Sequence, residues 1–372
     1  MLNNDASDLK FINYALNMAQ NYAGNTAENP VVACVIVKNN KIVSTGITAQ
    51  NGRPHAEATA INKISDSSLL QGAEMFVTLE PCSHFGKTPP CIEKIITSGI
   101  KRVVICMQDI DNRVNGKGIE ALRQAKIEVV VGVGEKRAKD INRFFIYAKK
   151  HQKPWLTAKI ATSLDAKIAT KNLQSKWITG AKTRDYTNFL RSKYQAIMVG
   201  ANTVKLDNPN LDCRINGLAQ YSPLKIIVSN KADFSFQENV FCKGNSSYLV
   251  TGLEQQNRSD INFWLQQNDN NKVIFLPTIN GKIDLNLILQ KLYQLNINSI
   301  LLEGGSDLLT QCMQKKLLQE LIWIRSNKII GDDGLSAIKA LNFNDLSVCL
   351  QNLVRKDFFN IEQDLVEFFV TF

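Results

Sequence analysis

His55-Ala56-Glu57 and the loop Pro81-Cys82-Ser83-His84-Phe85-Gly86-Lys87-Thr88-Pro89-Pro90-Cys91 constrain this chain more than any other stretch. One imidazole and two thiolates can fill three corners of a zinc tetrahedron and leave the fourth to water. For all three to reach one ion, the segments that carry them must converge. Cys82 follows an apolar strand, Ala73 to Glu80. Cys91 follows Pro89-Pro90, a pair suited to the start of a helix, with Ile92, Ile95 and Ile96 as its apolar face and Gly99 as its stop. His55 follows Pro54 and opens a second helix, Ala56-Glu57-Ala58-Thr59-Ala60-Ile61. Two helix N-termini aimed at one ion favour thiolate over thiol.

A cation stabilises hydroxide, so water in the fourth position gives up a proton near neutral pH. Glu57, two residues after the first ligand, is close enough to shuttle protons without being a ligand itself. This is the residue logic of zinc-dependent base deaminases, in which hydroxide attacks an amino-bearing ring carbon and a glutamate acts as acid and base. Their general signature has two residues between the cysteines, whereas eight separate Cys82 from Cys91. Two other readings stand beside this one. In a closed structural site His84 is the fourth ligand, which leaves Glu57 without a purpose; otherwise His84 is a loop residue near the substrate. Ordinary buried thiols are the default for cysteine, and that is the reading for Cys34, Cys106, Cys213, Cys242, Cys312 and Cys349.

At 372 residues the chain exceeds one comfortable core and implies two domains. A hydrophobic share of 44% fits a globular protein, and no apolar run is long enough to span a membrane. The start, Met1 to Asp8, has neither the basic end nor the apolar core of a secretory signal. Eight cysteines without regular spacing, two of them claimed by a metal, point to a reducing cytoplasm. The formal charge of +10 is dispersed, without a Lys/Arg block or an aromatic-interleaved stripe. That argues against a nucleic-acid face and leaves a solvated surface with a few arginines to grip phosphate.

The first half reads as helix (Asp8 to Tyr22), strand (Val31 to Lys38), an Asn39-Asn40 connector, strand (Lys41 to Thr48) and helix (His55 to Ile64). Strands then alternate with helices as far as Ile127 to Val133, which implies parallel pairing. Gly116-Lys117-Gly118-Ile119-Glu120-Ala121 has the outline of a dinucleotide fingerprint. No strand runs directly into it, so it reads as a loop and helix start. A basic stretch, Lys149 to Lys153, with Pro154 marks a boundary near 145 to 153, taken as domains 1–148 and 149–372. Beyond it come strands at Trp155 to Ile160, Ala196 to Gly200, Leu224 to Ser229, Ser247 to Val250, Val273 to Leu276, Ser299 to Leu302 and Leu321 to Ile330. A last strand ends at Phe372, and helices fall at about 181–193, 284–295 and 306–316. This is a second open α/β sheet without a glycine-rich fingerprint.

The cysteine loop closely resembles the deaminase motif of the bifunctional riboflavin-biosynthesis deaminase/reductase family. Asn29-Pro30 before the first strand and Met107-Gln108-Asp109 after a later one agree with it. The resemblance continues through Lys159 to Lys167, Ser175 to Thr179, Gly200 to Arg214 and Leu302 to Ser306, nearly the whole chain. It implies a two-domain α/β protein: an N-terminal cytidine-deaminase-like α/β/α layer and a C-terminal domain resembling dihydrofolate reductase. It further implies one zinc ion on His55, Cys82 and Cys91, Glu57 as the catalytic acid and base, and Asn29 on the pyrimidine. In the second domain it gives Ser175, Arg191, Leu211, Arg214 and Glu303 to substrate. Ala161, Trp177, Thr203, Asp207, Ser229, Gly304 and Gly305 go to NADPH, and Lys159 and Asp207 are the polar groups nearest hydride transfer.

Residue types support part of this independently. Gly304-Gly305 between strand and helix brings backbone N–H groups to an anion or simply makes a tight turn, and Arg191 and Arg214 suit bidentate phosphate contact. Two positions depart from the family. Ala166 stands where Gly is common, harmless unless φ is positive there, with a narrower nicotinamide pocket as the expected consequence. Ala33 stands where Gly is frequent before the cysteine of the first strand.

The expected partner is a small phosphorylated pyrimidine, with no nucleic acid, no membrane and a homo-oligomeric assembly. A nucleoside or tRNA deaminase with an unrelated second domain is the rival enzyme. A non-catalytic zinc-stabilised protein is the rival of another class.

Overall fold

The computed structural model describes residues 2–85, 89–111, 113–242, 246–345, 347, 349 and 353–371. Gly86, Lys87 and Thr88 of the cysteine loop, and Phe372 at the expected end of the last strand, lie outside the described residues. The chain divides into two compact units, Met1–Gln152 and Lys153–Phe372. No helix among the described residues is long and apolar enough to cross a membrane.

The first unit runs α1 (Leu2–Tyr22), β1 (Ala33–Lys38), β2 (Lys41–Ile47), α2 (Ala56–Asn62), β3 (Glu74–Val77), α3 (Cys91–Thr97), β4 (Arg102–Ile105), α4 (Lys117–Gln124), β5 (Glu128–Val131), α5 (Glu135–Ile141) and α6 (Arg143–His151). Its sheet has the order β2-β1-β3-β4-β5. β1 pairs antiparallel with β2 and β3, and β3, β4 and β5 are parallel. Asn39 and Asn40 turn the hairpin with φ of 51° and 60°, the left-handed conformation that asparagine tolerates and hairpin turns require. Ala33 to Val37 of β1 and all of β4 are buried, so both sheet faces are covered by helices. This is the three-layer α/β/α arrangement.

Gly46 of β2 lets α2 lie flush on the sheet. A Cβ there would sit 2.0 Å from the Ala56 carbonyl oxygen, in the first turn of α2. Ala33, by contrast, fits an ordinary strand position: its N–H donates to Thr78 Oγ1 at 3.0 Å, and its carbonyl accepts from Thr78 N at 3.1 Å.

The second unit runs β6 (Trp155–Thr162), β7 (Lys167–Ala169), α7 (Ala181–Arg191), β8 (Ala196–Gly200), α8 (Ala201–Asp207), β9 (Leu224–Val228), β10 (Ser247–Gly252), α9 (Ser259–Gln266), β11 (Lys272–Leu276), β12 (Thr278–Ile279), β13 (Lys282–Ile283), α10 (Leu285–Gln294), β14 (Ser299–Leu302), α11 (Ser306–Gln314), β15 (Glu320–Arg325), β16 (Leu335–Ser336), β17 (Leu353–Ile361) and β18 (Asp364–Thr371). The large sheet has the order β11-β10-β9-β8-β14-β6-β15-β18-β17. It is parallel from β11 to β15, and β18 and β17 add an antiparallel edge.

One expectation is corrected here, and the condition set for Ala166 is met. The strand expected over Leu321 to Ile330 stops at Arg325. Beyond it, the N–H groups of Ile330 and Gly331 donate to the Asp165 carboxylate at 3.1 and 2.8 Å instead of to a strand neighbour. The change at Ala166 is not conformationally neutral, because Ala166 has φ of 62°. Its Cβ is held in the left-handed region at about 1–2 kcal/mol.

Candidate active sites

In the first unit the metal motif is assembled at two helix starts and one strand exit. His55 is the N-cap of α2, and Pro90 caps α3 so that Cys91 is its first residue. His55 Nδ1 lies 3.4 Å from Cys82 Sγ and 3.3 Å from Cys91 Sγ. The ligand atoms of all three lie within 4.8 Å of one another. Bonds of about 2.0 and 2.3 Å at tetrahedral angles put nitrogen and sulfur about 3.5 Å apart around zinc. The three donors therefore fit one zinc ion. His84 does not join the cluster among the described residues, which removes the closed four-ligand reading.

The Cys91 thiol hydrogen-bonded to Cys82, with the His55 ring beside it, holds the Cys82 thiol down at about 4 against the opposing effect of burial. Cys91 is pushed up, first by Cys82 and then by burial. The pair thus supplies a thiolate at neutral pH, the form a metal binds. The Cys91 backbone N–H donates to Cys82 Sγ at 3.3 Å.

Two residues before Cys82, Glu80 is buried and hydrogen-bonded to backbone; the motif reading passed it over. Glu80 Oε2 accepts from the N–H groups of Asp109 and Gly116 at 3.1 and 2.9 Å. Oε1 accepts from those of Gly118 and Ile119 at 2.9 and 3.2 Å. The glycine outline at 116–118 is the loop and helix start read from the sequence, and its N–H groups are taken by the chain's own carboxylate. Gly118 must be glycine because a Cβ would lie 2.3 Å from the Pro81 carbonyl oxygen.

A cavity of about 510 Å³ opens on the motif, lined by His55, Glu57, Cys82, Asn29 and His84, and also by Arg53, Asp111, Arg113 and Lys149. Glu57 is 4% exposed. Burial, and next the charge of Cys82, raise its carboxyl to about 7. Asn29 is held by Thr26, whose carbonyl accepts from Asn29 Nδ2 at 3.3 Å.

In the second unit a cavity of about 310 Å³ lies at the C-terminal ends of the parallel strands, where open α/β sheets bind ligands. It brings together Lys159, Ala161, Ser175, Trp177, Arg191, Thr203, Asp207, Leu211, Arg214, Glu303, Gly304 and Gly305. Ser229 is not among the lining residues; its Oγ accepts from Ala232 N at 3.1 Å. Ala166 does not line the cavity either, so its effect falls on the β6–β7 turn and not on pocket width.

Arg191 has its fork committed within the protein. Nε and Nη2 donate to the two Glu303 oxygens at 2.8 and 2.9 Å, and Nη1 donates to the Asp212 carbonyl at 3.0 Å. Burial drives Glu303 up, but Arg191 and then Lys159 and Arg214 outweigh it and keep it ionised. Burial also depresses Lys159, with Glu303 opposing. Burial raises Asp207, against Lys176 and a Ser175 hydrogen bond. Trp177 is 58% exposed and carries the Arg184 guanidinium 4.3 Å from its ring centre. Gly305 caps α11, and its N–H donates to Thr203 Oγ1 at 3.2 Å. The first-turn N–H groups of α11 at the Gly304-Gly305 turn can receive an anionic group.

Sequence reading missed Arg184, Thr187 and Asn188, which line the cavity with Arg191. Their spacing of three, four and seven residues along α7 was the available signal: one polar stripe on a helix.

Residues 154–366 match the RibD C-terminal domain family, and residues 5–107 match the cytidine and deoxycytidylate deaminase zinc-binding region. The riboflavin biosynthesis protein RibD of Aquifex aeolicus is 35% identical over 362 residues, covering 97% of this chain and 98% of the relative. The solved diaminohydroxyphosphoribosylaminopyrimidine deaminase/5-amino-6-(5-phosphoribosylamino)uracil reductase of Thermotoga maritima superposes with a TM-score of 0.87 at 31% identity, covering 99% of this chain and 100% of that one. RibD of Acinetobacter baumannii superposes with a TM-score of 0.88 at 26% identity, with the same coverage. The first unit is cytidine-deaminase-like, and the second is a reductase domain of the dihydrofolate-reductase type. With both halves matched in one chain, and in the same order, this protein belongs to the RibD family of bifunctional riboflavin-biosynthesis deaminase/reductases.

Proposed function

We propose that the chain catalyses two consecutive steps: hydrolytic deamination of 2,5-diamino-6-(5-phosphoribosylamino)pyrimidin-4-one, then NADPH-dependent reduction of the ribosyl group to ribityl. The observation that carries this reading is the meeting of His55, Cys82 and Cys91 within 4.8 Å on a cavity that Glu57 also lines. Zinc held by these three residues makes water nucleophilic near neutral pH. Glu57 takes the proton of the attacking water, gives it to the ring nitrogen and then helps ammonia leave. Asn29 hydrogen-bonds the pyrimidine edge.

The second cavity would hold NADPH, which would supply the hydride for C1′ of the sugar, while the ring oxygen released as the C1′–O bond breaks takes a proton from water, leaving a ribityl chain. Ser175, Leu211 and Arg214 position the substrate, together with the Arg191–Glu303 pair. Ala161, Trp177, Thr203, Asp207 and the Gly304-Gly305 turn hold the cofactor, with Ser229 at a more distant point of it. Lys159, buried beside the Arg191–Glu303 pair, is the polar group assigned to the reacting carbon. A homo-oligomer in the cytoplasm is part of the same proposal, and sedimentation equilibrium tests the assembly.

The test follows product masses from the diaminopyrimidinone ribosyl phosphate with zinc-replete protein. Exchange of an amine for oxygen without NADPH, then addition of hydride with it, supports both steps and their order. Deamination alone sinks the reductase assignment, and no change in mass sinks both.

A further inference from the structure

α7 contributes Arg184, Thr187, Asn188 and Arg191 to the lining of the second cavity, and Thr179 lies just before it. The two ends of this helix are anchored differently. At its C-terminal end Arg191 is tied to Glu303 and to the Asp212 carbonyl. At its N-terminal end the cap is Gly180, which has no side chain with which to satisfy the first N–H groups.

Asp364, the first residue of β18, takes that role. Its Oδ2 accepts from the Gly180 N–H at 2.8 Å and from the Thr183 hydroxyl at 2.5 Å, and the residue is 5% exposed. In a capping box the third residue of the helix supplies the acceptor for the N–H group of the cap. Here that third residue is Thr183, itself a donor, and the acceptor comes from a strand 184 residues after the cap. Among the described residues the β17–β18 hairpin contributes nothing to the cavity lining.

The start of α7 is linked in turn to Trp177. Arg184 Nη1 donates to the Thr179 carbonyl at 2.9 Å, and its guanidinium lies 4.3 Å from the centre of the Trp177 ring. All three residues line the cavity. We infer that Asp364 is a positioning residue of the reductase site: by holding the first turn of α7 it sets Trp177, Thr179 and Arg184 in place for the nicotinamide cofactor. The inference rests on the reading of this cavity as the reductase site, with Trp177 on the cofactor side. Arg191 sits at the far end of an 11-residue helix about 16 Å long and keeps its own anchor in Glu303. The effect of Asp364 therefore falls on the cofactor and spares the pyrimidine.

The experiment uses the full-length, zinc-replete protein. KM for NADPH, KM for the deaminated ribosylaminopyrimidine phosphate, kcat of reduction and the thermal midpoint without ligand are measured for each variant. Without its cap the competent arrangement is only fractionally populated, so Asp364→Ala should raise the NADPH KM about five- to tenfold. The pyrimidine KM and the kcat at saturating NADPH should stay unchanged. Asp364→Asn, whose amide oxygen can take the place of Oδ2, should restore the NADPH KM. Thr183→Val removes one of the two donors and reads the same contact, with a smaller rise, if Asp364→Ala does not fold. Asp284→Ala is the control for lost stability: Asp284 caps α10 by accepting from Asn286 N at 3.2 Å, and α10 contributes no residue to the cavity lining. It should lower the midpoint and leave the NADPH KM unchanged. An unchanged NADPH KM in Asp364→Ala and Thr183→Val, a rise confined to the pyrimidine KM, an Asp364→Asn variant as impaired as Asp364→Ala, or an equal rise in Asp284→Ala each overturns the inference alone. If the unaltered protein oxidises no NADPH with the pyrimidine present, the reading of the cavity falls and this inference with it.

Discussion

The metal-binding residues of the first unit come from two short stretches, each placed by a helix start, and their side chains already lie at zinc-compatible distances. The cavity of the second unit draws on β6, α7, α8 and the turn after β14, residues far apart in sequence that meet because β8, β14 and β6 are neighbours in the sheet. The first site is thus specified by ligand chemistry and local capping, the second by the topology of a sheet. A local site should fail through single residues that touch the reacting atoms, and a dispersed one through the contacts that hold its parts in register.

The largest expected effect is therefore local. Glu57→Gln should lower the deamination rate about 10²–10⁴-fold, the usual worth of a positioned acid and base, while zinc content and reduction stay unchanged. Atomic absorption and separate assays of the two steps check this. Removing the metal with a chelator should abolish deamination and spare reduction. Loss of both activities on chelation would break the comparison.

The dispersed site has its weakest point in the Arg191–Glu303 pair, whose side chains are each 12% exposed. Glu303→Gln leaves Arg191 buried beside a neutral amide. Breaking such a pair costs about 3 kcal/mol, so the unfolding transition of the second unit should fall, together with affinity for the substrate. Denaturant unfolding followed with and without NADPH measures both. A smaller effect is expected at Gly46→Ala, where the added Cβ meets backbone of α2. The helix must retreat, at about 1–3 kcal/mol, and zinc affinity should weaken with it.

The same contrast explains what was legible in the sequence. The zinc ligands and Glu57 stood out because metal chemistry allows few residue types, and proline marked both helix starts. Strand and helix order was readable from apolar runs, and the residues flanking β8 and β14 from resemblance. Glu80 was not legible, because its partners are backbone N–H groups that no sequence pattern displays. Arg191 was read as a phosphate-binding arginine because its partner Glu303 is remote in sequence. Asn188 escaped for a related reason: a polar helix stripe signals solvent as readily as a cavity.

The smallest effects concern the β6–β7 turn, where Ala166 sits beside Asp165. Ala166→Gly should relieve about 1–2 kcal/mol of left-handed strain and lose about 0.5–1 kcal/mol to the greater freedom of glycine in the unfolded chain. The net gain, roughly 0.5–1 kcal/mol, corresponds to a rise of about 1–4 °C in the midpoint of the second unit, with activity unchanged because Ala166 does not line the cavity. Asp165 adds a pH signature to the same turn. The Ser163 hydroxyl, and next the Gly331 N–H, hold its carboxyl below the ordinary 3.8, at about 2. A depressed carboxyl stabilises the folded chain above its unfolded value and loses that contribution as pH falls through its folded one. Asp165→Asn should therefore flatten the decline of the midpoint between about pH 4 and 2, relative to the unaltered chain. An equally steep decline in the variant would show that other carboxylates, not this turn, set the acid limb.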